Sequence, residues 1–209
     1  MCNSQDLIPI KQIIPKHSYT GEKWKTYRTN KKYLAIDFSH RCAYCDDSDE
    51  FKGKDTYQVE HFAPKNKFPD LEYTYDNLLY ACSYCNGAKS NKWVGKTAEE
   101  NIKNDEGFVN PCSDEYNLHL KRKLTGEIVP VTPLGLYMYK NLKLYLKRHQ
   151  ILYKLKVYST KIDQLNNVIT KKKSDNKTIG KKLLEEELLS HLLKDFYFYT
   201  LMLSDNNYI

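Results

Sequence analysis

Two cysteine pairs constrain this chain more than any other feature of its sequence. Cys42 and Cys45 lie in "RCAYC", Cys82 and Cys85 lie in "ACSYC", and 36 residues separate the two pairs. Two residues between thiolates allow one turn to present both sulfurs to one ion, so two such turns complete a tetrahedral site. The alternative is four unrelated buried cysteines that share this double spacing by chance. We predict a structural zinc ion, because four sulfur ligands leave no coordination position for water.

The remaining sequence predicts a cytoplasmic protein without a membrane segment. No run of about 18 apolar residues occurs, and the N-terminus does not resemble a signal peptide. A chain of 209 residues can bury enough surface to fold without disulfides. Cys2 and Cys112 have no partner at metal-binding spacing, so we expect them to be ordinary reduced thiols.

Positive charge is concentrated in two segments that flank the cysteine pairs. The net charge is +7; residues 136–182 contain thirteen Lys or Arg against two acids, and residues 1–34 contain seven against two. Either segment alone is most simply a solvated helix face, but two of them around a metal motif favour a polyanionic partner. Lys171, Lys172 and Lys173 in "KKKSDNK" are candidate backbone contacts for a nucleic acid. A solvated loop or a protein contact are the alternatives.

The order of periodic segments predicts an α+β fold. A helix is expected near Trp24–Asp37, and strand-like segments flank Thr125 and Gly126 as in a β-hairpin. Apolar residues then repeat at three- and four-residue spacing on both sides of "KKKSDNK", which predicts two long helices packed as a hairpin. The predicted parts are a basic N-terminal arm (1–40), a zinc-stapled core (41–111), a hairpin linker (112–133) and a C-terminal helical region (134–209).

Polar residues that could carry chemistry lie between and directly after the cysteine pairs. "YQVEHFAPK" places Glu60 before His61 at the end of a short predicted strand, and "DNLLYACSYCNGAK" contains Asp76, Asn77 and Asn86. Because four sulfurs would fill the zinc site, a catalytic His61 would have to act with a different metal.

This order of motifs resembles the zinc-containing HNH endonucleases, whose core is a ββα-metal finger. The resemblance covers about Arg41 to Trp93 and rests on the paired cysteines, the acid-histidine dipeptide, "DNLLYAC" and "CNGAKSNK". Beyond this core, "EHFAPK", "NPCSDEYNLHL", "GEIVPVTPLG" and "LKLYLKRHQ" resemble the nuclease subunit of the Septu antiphage systems. That resemblance implies an ATPase partner of the SMC-like or ABC type. Because this sequence contains no G-x-x-x-x-G-K-[ST] loop, any control by ATP would have to come from such a partner.

The family resemblance also implies roles for individual residues. Glu60 and Asn86 would bind the catalytic Mg²⁺ or Mn²⁺, and Asn77 would fix the loop near His61. The extra methylene of Glu60, where many relatives have aspartate or histidine, leaves coordination through water as an alternative. Asparagine at position 86 favours Mg²⁺ over Zn²⁺ or Ni²⁺. Asp76 is expected to be a turn former.

The chemistry of phosphodiester cleavage explains why these residue types are needed. The reaction requires a deprotonated water, charge stabilisation at phosphorus and assistance to the leaving oxygen, and one divalent cation can supply the last two. A neutral histidine, with an ordinary pKa of about 6.5, can accept the proton of the water near pH 7. His61 is therefore the predicted general base. Lys89 and Lys92 are predicted phosphate contacts, with a solvated pair as the alternative. We expect structural roles for His40 and His119.

Together these features predict a metal-dependent endonuclease that hydrolyses DNA in an antiphage defence complex. An RNA-cutting or toxin-type nuclease with the same core is one alternative. A non-catalytic zinc module that binds nucleic acid is another, although it would need neither Glu60, His61 nor Asn86. The two long helices could bind a partner, but packing against each other is the simpler explanation of their apolar faces.

Overall fold

The N-terminal segment contributes one strand and one helix. The structure, a computed structural model, describes residues 7–20, 26–52, 54–171 and 179–205. Strand β1 (Leu7–Pro9) is followed by a 3-10 turn (Tyr27–Asn30) and helix α1 (Lys31–Asp37). The helix predicted near Trp24–Asp37 therefore occupies the later part of that range, and Trp24 lies outside the described residues.

A β-hairpin and a helix form the centre of the molecule. Strand β2 (Tyr57–His61) pairs antiparallel with β3 (Leu78–Cys82), so that Glu60 lies opposite Leu79. Strand β3 leads directly into helix α2 (Ser83–Lys89). All five residues of β3 are buried, and α1 packs against this strand. This ββα unit places the end of β2 next to α2, as the predicted α+β fold requires.

A second, three-stranded sheet connects the N-terminal segment to the middle of the chain. Strands β4 (Ile102–Lys103) and β5 (Glu106–Gly107) form a small hairpin, and the one-turn helix α3 (Tyr116–His119) follows. Strands β6 (Leu120–Lys123) and β7 (Ile128–Pro130) then form the hairpin that the sequence predicted. Its turn uses Gly126 at φ 99°, a conformation that glycine adopts without steric cost. Strand β1 pairs with β6, which gives the sheet order β1-β6-β7.

Three helices complete the fold. Helix α4 (Pro133–Asn141) is capped at its N-terminus by Thr132, whose hydroxyl accepts a hydrogen bond from the Gly135 amide. Helices α5 (Lys147–Lys171) and α6 (Ile179–Ser204) pack against each other as the predicted hairpin. The sequence had suggested one continuous helix from residue 134. The structure instead breaks it at Lys143, whose φ of 55° cannot continue a right-handed helix.

Two hydrophobic clusters hold these elements together. The main core lies around the ββα unit, and a smaller cluster joins α5 to α6 through Ile151, Leu152, Leu155 and Leu203. Phe51, in the loop after the first cysteine pair, packs against this smaller cluster. The helical hairpin is thus attached to the centre of the molecule at its base. Among the helices that the structure describes, none is long and apolar enough to cross a membrane.

Candidate metal centre and catalytic cleft

The four predicted zinc ligands come together in one buried site. Cys42 and Cys45 lie in the turn after α1, Cys82 ends β3, and Cys85 is in the first turn of α2. Their ligand atoms all lie within 4.8 Å of one another, and the Sγ atoms of Cys45 and Cys82 are 3.9 Å apart. Tetrahedral Zn–S bonds of about 2.3 Å place sulfurs about 3.8 Å apart. The donor set and its spacing therefore fit a structural zinc ion.

Backbone amides donate hydrogen bonds to two of the four sulfurs. The Cys82 amide donates to Cys42 Sγ at 3.3 Å, and the Cys85 amide donates to Cys82 Sγ at 3.5 Å. Hydrogen bonds from the other thiols, that of Cys42 first, hold the pKa of Cys82 well below its usual value. Metal ligands with such outer contacts are held in the orientation that coordination needs.

A buried charged group, which we call the knuckle cluster, lies against the cysteines. It consists of Asp47, Arg122, Arg148 and His149, each at most 3% exposed. His149 Nδ1 is 2.5 Å from an Asp47 carboxylate oxygen, and Arg122 Nη2 is 3.5 Å from the other. Arg148 Nη1 lies 4.0 Å from Cys82 Sγ. Arg148 thus offsets negative charge of a tetrathiolate site and connects α5 to it, and Arg122 connects β6 to the Cys45 carbonyl.

The sequence analysis did not find the knuckle cluster. His149 had been assigned no site role, because no local spacing relates residue 47 to residues 148 and 149. Cys45, Asp47 and His149 also have ligand atoms within 4.8 Å of one another. Since Cys45 already belongs to the complete set of four sulfurs, His149 and Asp47 are better described as outer contacts of that site.

His61 lies at the end of β2 with its ring orientation fixed. Its Nε2 donates to the backbone carbonyl of Glu72 at 3.0 Å, and its ring packs edge-on against Tyr27 at 4.7 Å between centroids. A carbonyl oxygen can only accept, so the neutral ring carries its proton on Nε2 and leaves Nδ1 as an acceptor. Burial is the main cause that lowers the pKa of His61, and the nearby ammonium of Lys65 lowers it further. The imidazole is therefore kept neutral.

Asn77 fixes the chain that follows His61. Its Oδ1 accepts from the Ala63 amide at 2.8 Å, and its Nδ2 donates to the carbonyls of Ala63 and Leu71. Its own backbone carbonyl accepts from the Phe62 amide at 2.9 Å. The side chain thus ties the loop after His61 to the segment that supplies the Glu72 carbonyl. Its direct contact is to Ala63 and not to His61 itself.

Glu60 forms a buried ion pair with Lys89. Glu60 Oε1 accepts from Lys89 Nζ at 2.9 Å and from the Tyr44 hydroxyl at 3.3 Å. Lys89 is 0% exposed and also donates to the His61 carbonyl at 3.2 Å. The structure therefore contradicts the predicted phosphate contact of Lys89, because its ammonium is enclosed beneath the strand. Burial raises the pKa of Glu60, and Lys89 opposes that rise.

An open cleft of about 320 Å³ brings the candidate residues together. Glu60 and His61 from β2 line it with Asn86 from α2. Asn86 Nδ2 donates to Gln58 Oε1 at 2.6 Å, which leaves Asn86 Oδ1 as an acceptor. Glu60 contributes a carboxylate to the same cleft, and Lys89 and Tyr44 both donate to its Oε1. Two oxygen donors at one cleft suit a hard cation such as Mg²⁺. The sequence analysis had assigned no role to Gln58.

The lysines near the cleft differ in what they can contact. Lys65 lines the cleft, donates to Glu72 Oε1 at 2.8 Å and lies over the Tyr27 ring at 4.5 Å. Lys65 lies in "YQVEHFAPK", but its sequence context predicted no role for it. Lys92 is exposed and donates to the carbonyls of Ala88 and Asn141. It remains able to meet a phosphate.

The other predicted positions either do not line the cleft or lie outside the described residues. Lys171 is the last residue of α5 and its side chain is not described, whereas Lys172 and Lys173 lie outside the described residues. His40 bonds Asp49 at 3.0 Å. His119 bonds Thr132 at 2.7 Å.

Comparisons with known proteins identify the same segment. Residues 42–92 match a family model described as HNH endonuclease. The chain is also similar to the Septu protein PtuB of Bacillus thuringiensis, with 32% identity over 83 residues. That alignment covers 40% of this chain and 28% of the relative, so the chain spans less than a third of the length of the protein it matches. No solved structure matches. These similarities support a nuclease of the HNH type that resembles PtuB.

Proposed function

We propose that this protein is a metal-dependent endonuclease that hydrolyses phosphodiester bonds of DNA. The observation that carries the proposal is the arrangement of His61 at the cleft: Nε2 donates to the Glu72 carbonyl, so Nδ1 is the acceptor. A neutral imidazole with a fixed acceptor nitrogen can take the proton of an attacking water. The product would carry a 5′-phosphate and a 3′-hydroxyl.

The cation that this reaction needs would be held by Glu60 Oε2 and Asn86 Oδ1. Oxygen ligands from a carboxylate and an amide favour Mg²⁺ or Mn²⁺. When bound, such an ion stabilises the charge that develops at phosphorus and on the leaving oxygen. Lys89 pairs with Glu60 from the protein side and opposes the rise in its pKa that burial causes, and Gln58 orients the amide of Asn86 with its oxygen available.

The residues around His61 orient it for this role. Asn77 holds the loop after β2, and the Glu72 carbonyl sets the tautomer of the ring. Lys65 brings a positive charge to the same cleft, where it could contact the substrate phosphate. Lys65 and Lys92 replace the predicted pair Lys89 and Lys92 as the candidate phosphate contacts.

Substitution of the base tests the proposal. The His61→Ala variant should lose about 10²- to 10⁴-fold in Mg²⁺-dependent cleavage of duplex DNA, which is the usual contribution of a general base. Zinc content and DNA affinity should stay close to wild type, because His61 is not one of the four zinc ligands and a neutral ring adds nothing to the positive charge of the basic segments. His119→Ala, which removes a histidine far from the cleft, is the control. Cleavage by His61→Ala within threefold of wild type would exclude His61 from the mechanism.

The same assay identifies the substrate class. Wild-type protein with Mg²⁺ should cut duplex DNA faster than RNA of the same sequence. Faster cutting of RNA would support an RNA-directed nuclease with the same core. Binding without cutting of any substrate would support a non-catalytic zinc module.

We further propose that the chain acts as the nuclease component of an antiphage defence complex with an ATPase subunit. The similarity to the Septu protein PtuB supports this assignment. Co-purification with the product of the neighbouring open reading frame, with and without ATP, is the direct test. A chain that remains alone under both conditions would contradict the proposed complex.

A further inference from the structure

Helix α6 leaves an apolar face uncovered. Its inner side, with Phe196, Tyr199, Met202 and Leu203, packs in the cluster that joins it to α5. On the outer side, five large apolar side chains are 49–66% exposed: Leu183, Leu184, Tyr197, Phe198 and Leu201. Together they expose on the order of 500 Å², the size range in which an apolar patch is often functional.

The sequence of this face is nearly palindromic. In "LLEEELLSHLLKDFYF" the midpoint lies between Ser190 and His191. At equal distances from it, Leu183 corresponds to Phe198, Leu184 to Tyr197, and Glu187 to Lys194. At these positions apolar residues correspond to apolar residues, and acidic Glu187 corresponds to basic Lys194. Glu186 and Asp195, which also correspond, carry like charges but lie about 90° to either side of this face.

Helical geometry places two of these corresponding pairs, Leu183 with Phe198 and Glu187 with Lys194, on the same face of α6. At about 100° per residue, Leu183, Glu187, Lys194 and Phe198 all lie within about 30° of one direction on the helix surface. Within the part of the chain that the structure describes, no ion pair is formed by Glu187 or Lys194. Exposed charges of opposite sign at mirrored positions are what a two-fold, self-complementary contact requires.

We propose that α6 pairs antiparallel with α6 of a second copy of this chain. Glu187 would face Lys194 of the partner subunit twice, once on each side of the two-fold axis. Leu183 and Leu184 of one copy would pack against the partner's Tyr197 and the partner's Phe198. The two patches would together bury on the order of 1,000 Å², which reaches the lower limit of specific interfaces. Charge complementarity under this symmetry favours a second copy over an unrelated protein.

Charge reversal tests the pairing and its register. Sedimentation equilibrium at low salt should find wild-type protein dimeric at micromolar concentration. Glu187→Lys alone and Lys194→Glu alone should each weaken dimerisation about tenfold or more, because two attractive contacts become repulsive. The double variant Glu187→Lys/Lys194→Glu should restore it. An equimolar mixture of the two single variants should also associate, since both lysines of one variant then face both glutamates of the other.

Controls separate this contact from general adhesion. Glu186→Lys makes the same charge change about 90° away from the face and should leave the dimer within about twofold of wild type. Leu184→Glu/Phe198→Glu should give monomers with unchanged helical content, because both side chains are exposed. A wild-type chain that is monomeric up to about 100 μM would overturn the proposal and would indicate that a different protein covers the face. A dimer insensitive to both single reversals would overturn the register.

Discussion

The residues at the cleft form two groups: some line the cleft, and others hold these in place from the protein interior. His61, Asn86 and Lys65 line the cleft, whereas Lys89 and Asn77 act from within the protein. Glu60 belongs to both groups, because it lines the cleft while its Oε1 accepts a hydrogen bond from the buried Lys89.

The activity of His61 should depend on pH in a predictable direction. Burial lowers its pKa below the ordinary 6.5, so the ring stays neutral, and able to accept a proton, at pH values where a free histidine is already charged. The cleavage rate should therefore rise with pH and then level off. The midpoint of this rise, the acidic limb of the profile, should lie below about pH 6.5. Single-turnover rates from pH 5 to 8 at saturating Mg²⁺ would measure this limb. A limb centred clearly above pH 7 would contradict the assignment of His61 as the titrating base.

The Glu60–Lys89 pair should be important for stability. Lys89→Met would leave the Glu60 carboxylate buried without its cation, and broken buried pairs typically cost about 3 to 5 kcal/mol. Urea unfolding of the zinc-loaded protein would measure this loss. Glu60→Gln/Lys89→Met, which removes both charges, should recover much of the stability.

Lys92→Met is the matched control for this pair, because Lys92 is exposed and should change stability by about 0.5 kcal/mol or less. If Lys89→Met kept full stability but bound DNA more weakly, the result would support the predicted phosphate contact of Lys89, which the structure contradicts.

Elements of this fold could be predicted from the sequence where the determinants are local. The CxxC turns, the hairpin at Gly126 and the two long helices each depend on spacing within a short segment. The break at Lys143 could not be predicted, because its apolar neighbours continue the helical spacing across it. The knuckle cluster and the Glu60–Lys89 pair join positions 29 to 102 residues apart, and only tertiary packing brings these together. The buried position of Lys89 was missed for this reason.

The cysteine turns and α2 should fold only with zinc. Cys45→Ser or Cys82→Ser should lose the ion and unfold the ββα unit, since binding of structural zinc contributes directly to the free energy of folding. Metal analysis should find about one zinc per wild-type chain and much less in either variant. Cys112→Ser is the control, because Cys112 lies apart from the four ligands and should retain the ion. No zinc in active wild-type protein would disprove the site.

At the scale of the whole molecule, positive charge lies outside the catalytic unit. Residues 136–182 carry thirteen basic residues against two acids, and the arginine of this segment, Arg148, is committed to the buried knuckle cluster. Among its lysines, Lys156 pairs with Glu50 at 2.7 Å, so we expect the other lysines to supply the charge that an external partner meets. Net charge of this kind speeds association with a polyanion and makes binding sensitive to salt, whereas it does not specify a fold.

The positive charge of residues 136–182 could contact either DNA or a partner protein, and the salt dependence of DNA binding distinguishes the two. If Lys171, Lys172 and Lys173 follow a DNA backbone, replacing all three with glutamine should weaken binding about equally across sequences. It should also flatten the slope of log K against log salt by roughly 2 to 3, because each neutralised phosphate releases about 0.9 counterion. Cleavage of already bound DNA should be almost unchanged, since the cleft is formed by β2 and α2.

A second triple variant is the matched control for the salt-slope measurement. It changes Lys96, Lys103 and Lys121 to glutamine, in a segment whose acidic and basic residues are nearly equal in number. Residues 96–123 contain five basic residues and six acids, so this variant has the same net charge as the test variant but should change the slope by less than about 1. Equal slopes in the two variants would mean that only net charge matters. An unchanged slope in the Lys171, Lys172 and Lys173 variant, together with lost association to a co-purifying ATPase, would instead assign this segment to assembly.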